Sequence, residues 1–295
     1  MVAALVSVVL WGSGFVGIRA AAHAFSPGGL ALGRLVVSTT VLGAVAILSR
    51  QRLPSRRALL GIALYGVLWL GVYSVALNAA EQMVDAGTAA MLVATGPILI
   101  AILGGLFLGE GFPLSLFVGC GIALAGSVLI GVAIAGAHAN QAAGILLCIV
   151  AVVAYSIAIV VQKVVLRQAT PLQVSWLGSA AATLACLPFA PTLISELSRA
   201  NASAVGWAIY LGAFPIAVGF LTWTFALRRA TAGRTASFLY LVPPVAILLG
   251  WGVLGEIPPW LALIGGALCL AGVFAARQRT WLSWSRFRWH RPVML

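Results

Sequence analysis

Tyr65, Trp69 and Tyr73 recur at every fourth position, which sets three rings on one face of a helix. Trp11, Tyr155, Trp223 and Tyr240 are further aromatic residues with polar tips. Rings of this kind receive an apolar or ring-bearing molecule by stacking and contact, and their faces attract a cation such as an amino group. Packing between helices is the competing use of the same rings. Ser13, Asn78, Thr95 and Gln162 supply neutral hydrogen-bond groups, whose commoner task in apolar surroundings is to join one helix to another. Lys163 is the cation placed to meet a substrate carboxylate; the other reading, shared with Arg34, is a long side chain reaching for an interface. Pro97 and Pro244 lack a backbone N–H, so each leaves a carbonyl one turn earlier without its helical partner. That carbonyl must face either a cavity or another helix.

Other chemistries have no comparable support. Cys120, Cys148, Cys186 and Cys269 are scattered through apolar runs, and His23, His138 and His290 fall outside or at the ends of them. No metal site, cofactor or disulfide frame is expected from such spacing. No acid, base and nucleophile stand at motif spacing, so an embedded enzyme ranks low.

The surroundings of these residues are set by composition. Apolar residues make up 62% of the chain and charged residues 7%, against about a quarter charged in a soluble domain. Such a chain cannot cover a water-facing surface, and its partner is the lipid bilayer. The net charge of +12 therefore does not indicate nucleic acid. Apolar spans are expected at about 2–22, 28–49, 58–80, 86–108, 114–135, 143–166, 172–192, 204–227, 235–254 and 260–276. A cleaved leader is the rival reading of the first, but no Lys or Arg precedes it. Ten spans with a cytoplasmic N-terminus put 14 of the 17 basic residues on the cytoplasmic side, as the charge bias of membrane proteins requires. The tail from residue 278 to 295 mixes Trp with Arg and suits a cytoplasmic membrane surface.

A repeat underlies the spans. GEGFPLSLFVGCGIALAG at 109–126 lies over GEIPPWLALIGGALCLAG at 255–272, with Glu110 over Glu256 and Pro113 over Pro259. TAAMLVATGP at 88–97 lies over TASFLYLVPP at 235–244, so Pro97 and Pro244 are mates. WGSGFVGIR at 11–19 lies over YSIAIVVQK at 155–163, and Ser26-Pro27 over Thr170-Pro171 at the same offset. The two units are 1–138 and 139–277, each with five spans. Five is odd, so the second unit enters the membrane from the opposite side, the arrangement typical of secondary transporters. The GE frames read as architecture repeated once at each face, the Gly ending one helix and the Pro opening the next. The fold class is thus an all-α integral membrane protein, with ten transmembrane helices in two inverted five-helix repeats around a central cavity.

In WGSGF at 11–15, SPGGLALGR at 26–34, the Pro97-to-Glu110 segment and its partner Pro244-to-Glu256, the chain resembles the drug/metabolite transporter superfamily in its EamA-type ten-helix branch. Its overall look is similar to the YddG-like exporters of aromatic and other amino acids. The resemblance implies a central cavity near spans 1, 3, 4, 6, 8 and 9, with spans 5 and 10 peripheral. It implies export of small metabolites, most of all amino acids, across a bacterial inner membrane by alternating access, with a monomer sufficient. Sister branches exchange anionic, phosphorylated metabolites, which would need several cations at the cavity. No acidic residue lies deep in a span, which favours facilitated efflux or exchange over proton coupling.

Overall fold

The computed structural model describes residues 1–21, 23–80, 83, 92–134, 141–254 and 259–277. Among these the ordered elements are all helical. Within a bilayer a helix satisfies its own backbone polar groups, which is why a chain of this hydropathy folds so. Six helices are long and apolar enough to cross a membrane: Pro27–Leu48, Arg56–Leu77, Leu114–Ala133, Ala142–Val165, Ala202–Arg229 and Ala232–Gly252. Pro171–Ala185 and Leu187–Leu197 make a seventh if that bent pair is one span. Val2–Ile18, Gly96–Phe107 and Trp260–Ala276 are shorter apolar helices. Part of the expected span 86–108 lies outside the described residues, as do Glu81, Asp85, His138, Glu256 and the tail from 278.

Side-chain caps begin several helices. The Ser26 hydroxyl accepts from Gly29 N ahead of the Pro27–Leu48 helix, with Pro27 supplying a preset first turn. Thr170 and Gln173 form a reciprocal capping box at the Pro171–Ala185 helix. Ser55 and Asn201 cap the helices that follow them.

Three spans are not uniform, a feature that apolar periodicity does not carry. The chain is π-helical over Gly66–Tyr73 and again over Gly212–Val218. In the second stretch Pro215 has no N–H to give, so the ladder is rerouted there. In the first, Gly66 lies against the backbone of Gly178; a Cβ at Gly66 would come 2.1 Å from the Gly178 carbonyl oxygen. The span expected at 172–192 instead bends by 55° after Ala185, where a short 3-10 turn contains Pro188, and helix resumes to Leu197.

Two seams hold distant parts of the chain together. The Pro27–Leu48 and Pro171–Ala185 helices exchange hydroxyl bonds, Ser38 to Ser179 at 3.0 Å and Thr39 to Thr183 at 2.9 Å. The Leu114–Ile134 and Trp260–Arg277 helices run antiparallel in backbone contact. A Cβ at Gly126 would lie 2.5 Å from the Gly265 oxygen, and one at Gly272 would lie 2.6 Å from the Gly119 oxygen. Small residues permit such close approach where apolar burial gives no drive between helices in lipid. Gly126→Leu should therefore force this pair apart and lower the melting temperature in detergent, by an overpacking cost of about 1–3 kcal/mol. Gly121→Ala, which meets open space, should leave the melting temperature unchanged.

A candidate substrate cavity

Aromatic side chains from separate helices converge in the middle of the bundle. Trp11 from the first helix packs on Phe220 at 5.0 Å and on Trp69 at 5.9 Å between ring centroids. Trp69 meets Phe220 edge to face at 4.9 Å. Tyr73 meets Tyr155 at 5.3 Å, also edge to face. These rings border a cavity of about 250 Å³, closed further by Pro97, Tyr240 and the residues of both π stretches, among them Leu70, Pro215 and Ile216. Both interruptions of regular helix thus lie at the cavity wall, and rerouted hydrogen bonds in helices frequently mark functional sites.

Two of the polar tips are used, while the buried Tyr240 hydroxyl meets no partner among the described residues. The Trp11 indole Nε1 donates to the Pro215 carbonyl at 3.0 Å, inside the π stretch. The Tyr155 hydroxyl donates to the Val93 carbonyl at 3.0 Å. Val93 is four residues before Pro97, so its oxygen is the one that proline strips of a partner. The carbonyl expected to need a cavity or another helix has taken a hydroxyl from another helix. Gly96 makes room for it: a Cβ there would fall 1.4 Å from the Tyr155 oxygen.

The cavity occupies one half of the bundle, toward the turn between Ala21 and Pro27. In the other half the core is filled. Tyr65 and Trp223 are fully buried behind Trp69. The Gln162 amide donates to the Thr224 hydroxyl at 2.9 Å, and Thr224 contacts the Ser175 hydroxyl at 3.1 Å. Lys163 Nζ donates to the carbonyls of Leu227 and Ala230, at the end of the helix that closes with Arg229. A cation is well placed at a helix C-terminus. Glu110 completes this end: its carboxylate accepts from Ala232 N at 2.6 Å and from Gly233 N at 3.3 Å, at the opening of the next helix. Gly109 and Gly111, with φ of +68° and +73°, bring the carboxylate there by a path that disfavours other residues.

Of the residues singled out in the sequence, Trp11, Trp69, Tyr73, Pro97, Tyr155 and Tyr240 line the cavity. Tyr65, Gln162, Lys163 and Trp223 lie in the filled half. Ser13 bonds to the Tyr210 hydroxyl at 2.7 Å beside a shallower concavity. Thr95 bonds back to its own Leu92 carbonyl. Pro244 faces Gly266 while its neighbour Pro243 lines the cavity. The Asn78 side chain lies outside the described residues. Arg34 and Phe220, which the sequence reading did not place at the site, both line it. Among the described residues no three His, Cys, Asp or Glu side chains gather as a metal site would need.

With this geometry in view, comparison with known proteins decides the family. The profile of the EamA-like transporter family matches residues 1–132 and 142–277. The chain belongs to that family. It is a multi-pass membrane transporter and not an enzyme. It is 36% identical to a probable terminal-alkyne amino-acid exporter of Streptantibioticus cattleyicolor, over 94% of this chain and 93% of that one. It is 33% identical to the uncharacterized transporter YdfC of Bacillus subtilis, over 92% and 89% of the two chains. An uncharacterized inner membrane transporter of Escherichia coli, YedA, is 29% identical over 86% and 84%. A solved crystal structure superposes with a TM-score of 0.78 at 20% identity, covering 94% of this chain and 95% of that one, a likeness of fold.

The Tyr155–Val93 bond can be tested by coupling. Tyr155→Phe removes the hydroxyl and leaves the carbonyl orphaned, at a cost of about 1–3 kcal/mol. Gly96→Ala displaces the ring. Each should lower the melting temperature in detergent. Because both break the same bond, the double variant should be less destabilised than the sum of the two single ones.

Proposed function

We propose that this transporter exports small metabolites, chiefly amino acids including aromatic ones, across the bacterial inner membrane by alternating access. The observation that carries the reading is the cavity itself, walled by Trp11, Trp69, Tyr73, Tyr155, Phe220 and Tyr240 and large enough only for a small molecule. The likeness to the Streptantibioticus amino-acid exporter supports the amino-acid class, and that to the Escherichia coli inner membrane transporter supports the inner membrane. Among the described residues the lining holds one cation, Arg34. A site for phosphorylated solutes would call for several, so exchange of such anions is the weaker reading. The lining has no carboxylate or histidine among the described residues, which favours uncoupled efflux or exchange over proton coupling.

The machine we propose is a pair of inverted five-helix repeats, 1–138 and 139–277, with ten transmembrane helices, followed by a cytoplasmic tail over 278–295. Several pairings support it. Gly66 and Gly212 open the two π stretches and stand 146 positions apart. Gly66 packs on the backbone at 178, while Gly212 packs on the Arg34 carbonyl, and 34 and 178 are mates at an offset of 144. Gly126 meets Gly265 O and Cys269 N, while Gly272 meets Gly119 O and Ala123 N, which is the same contact with every residue exchanged for its mate. Thr39 and Thr183 are mates bonded to each other, as residues on a twofold axis would be. With both termini cytoplasmic, the half of the bundle closed by Lys163, Gln162 and Glu110 faces inward, and the cavity belongs to an outward-facing conformation.

Purified protein in liposomes should move labelled aromatic amino acids, at a rate that an imposed pH gradient leaves unchanged. Absence of flux across an amino-acid panel would remove the reading. Trp69→Ala and Tyr73→Ala should each lower flux several-fold while membrane insertion stays normal; unaltered flux in both would exclude the aromatic wall from substrate contact. Tags at the two chain ends should be accessible from the same face.

A further inference from the structure

Among the described residues Arg34 is the one charged side chain in the cavity lining. It rises from the helix Pro27–Leu48, six residues after Gly28, where its main chain is fixed by Gly212 packing on its carbonyl. Its Nε is buried and meets no hydrogen-bond acceptor among the described residues. The Tyr73 phenol lies close enough to interact with it electrostatically. A guanidinium in apolar surroundings is costly unless an anion and several acceptors meet it. It offers donors in a planar fork that matches a carboxylate with two parallel bonds. Among the described residues no Asp or Glu stands in the lining to take that role.

Among the described residues the same lining has no carboxylate to receive an ammonium group. What these residues offer an amino group is the hydroxyls of Ser74, Ser127 and Tyr240 and the faces of Tyr73, Tyr155 and Trp69, each an attraction weaker than an ion pair. The site is therefore lopsided: strong at the acid end of an amino acid, apolar over its side chain, and weak at its amine. Resting on the transporter reading above, we propose that the cavity is a monocarboxylate site anchored by Arg34. Apolar carboxylic acids without an amino group are then ligands of the same cavity, and apolar amines without a carboxylate are not. Arg34 is in this view the specificity-determining residue, and Lys163, held by the Leu227 and Ala230 carbonyls, takes no part.

Trp11 and Trp69 in the wall provide a binding signal that does not depend on transport. The detergent-purified full chain would be titrated with L-phenylalanine, 3-phenylpropionate and phenethylamine while tryptophan fluorescence is followed. The expected result is saturable binding of the first two and none of the third. Arg34→Gln should weaken 3-phenylpropionate by about tenfold to a hundredfold, the loss of a charge-assisted hydrogen-bonded pair. Arg34→Lys, which keeps the charge without the fork, should fall between. Phenethylamine binding as well as 3-phenylpropionate, no binding of 3-phenylpropionate, or an Arg34→Gln variant that binds it like the unmodified chain would each overturn the proposal. If Arg34→Gln fails to fold, the three ligands on the unmodified chain decide. Liposome flux of phenylalanine without any binding of 3-phenylpropionate would sink this inference alone; absence of flux across the whole amino-acid panel would sink the exporter reading.

Discussion

Inside a bilayer no water is available to a stray peptide group, so every break in a helix needs a partner from elsewhere in the protein. This molecule breaks its helices repeatedly and answers several of the breaks with a side chain from far along the chain. The carbonyl that Pro97 frees at Val93 is met by the Tyr155 hydroxyl, and the Pro215 carbonyl within a π stretch by the Trp11 indole. Lys163 covers the carbonyls at Leu227 and Ala230, and Glu110 covers the amides at Ala232 and Gly233. Because these four partners stand at the cavity wall and at its closed end, the groups that satisfy the backbone there are the same ones that shape and seal the site. Irregular backbone at membrane depth is tolerated where it borders a cavity or is buried in protein, and here it does both.

The chemistry of the pocket follows from what the membrane permits. Rings with a donor at one end can fill apolar space and still cap a carbonyl, so Trp11 and Tyr155 serve the fold and the wall together. Among the described lining residues a charge is admitted once, at Arg34, near the Tyr73 phenol. Lys163, equally basic in sequence, is consumed by two carbonyls and has a structural task.

The apolar runs marked most helices to within a few residues, because lipid selects length and hydropathy directly. The joints at Ser26-Pro27 and Thr170-Pro171 were visible as a repeated pair, and the structure adds that their hydroxyls cap the helices that follow. The need for a partner at Val93 was legible from Pro97 alone, but its identity was not, since Tyr155 comes from 62 residues away. The π stretches left no mark in apolar periodicity, although Pro215 was a signal for one of them. Arg34 was visible as an arginine set inside an apolar span, yet spacing could not say whether its side chain runs inward or toward an interface. Glu110 read as part of a turn, and its bond to the start of a helix more than 120 residues later depends on tertiary packing.

The antiparallel glycine seam has a consequence for how the molecule is made. Gly119 and Gly126 emerge from the ribosome long before Gly265 and Gly272, the surfaces they must touch. Until residues 260–277 have been made, the first member of this pair shows its grooved face to acyl chains. The closing helix arrives as a keystone, and a nascent chain stopped short of it leaves unfilled the contact that joins its earlier and later portions.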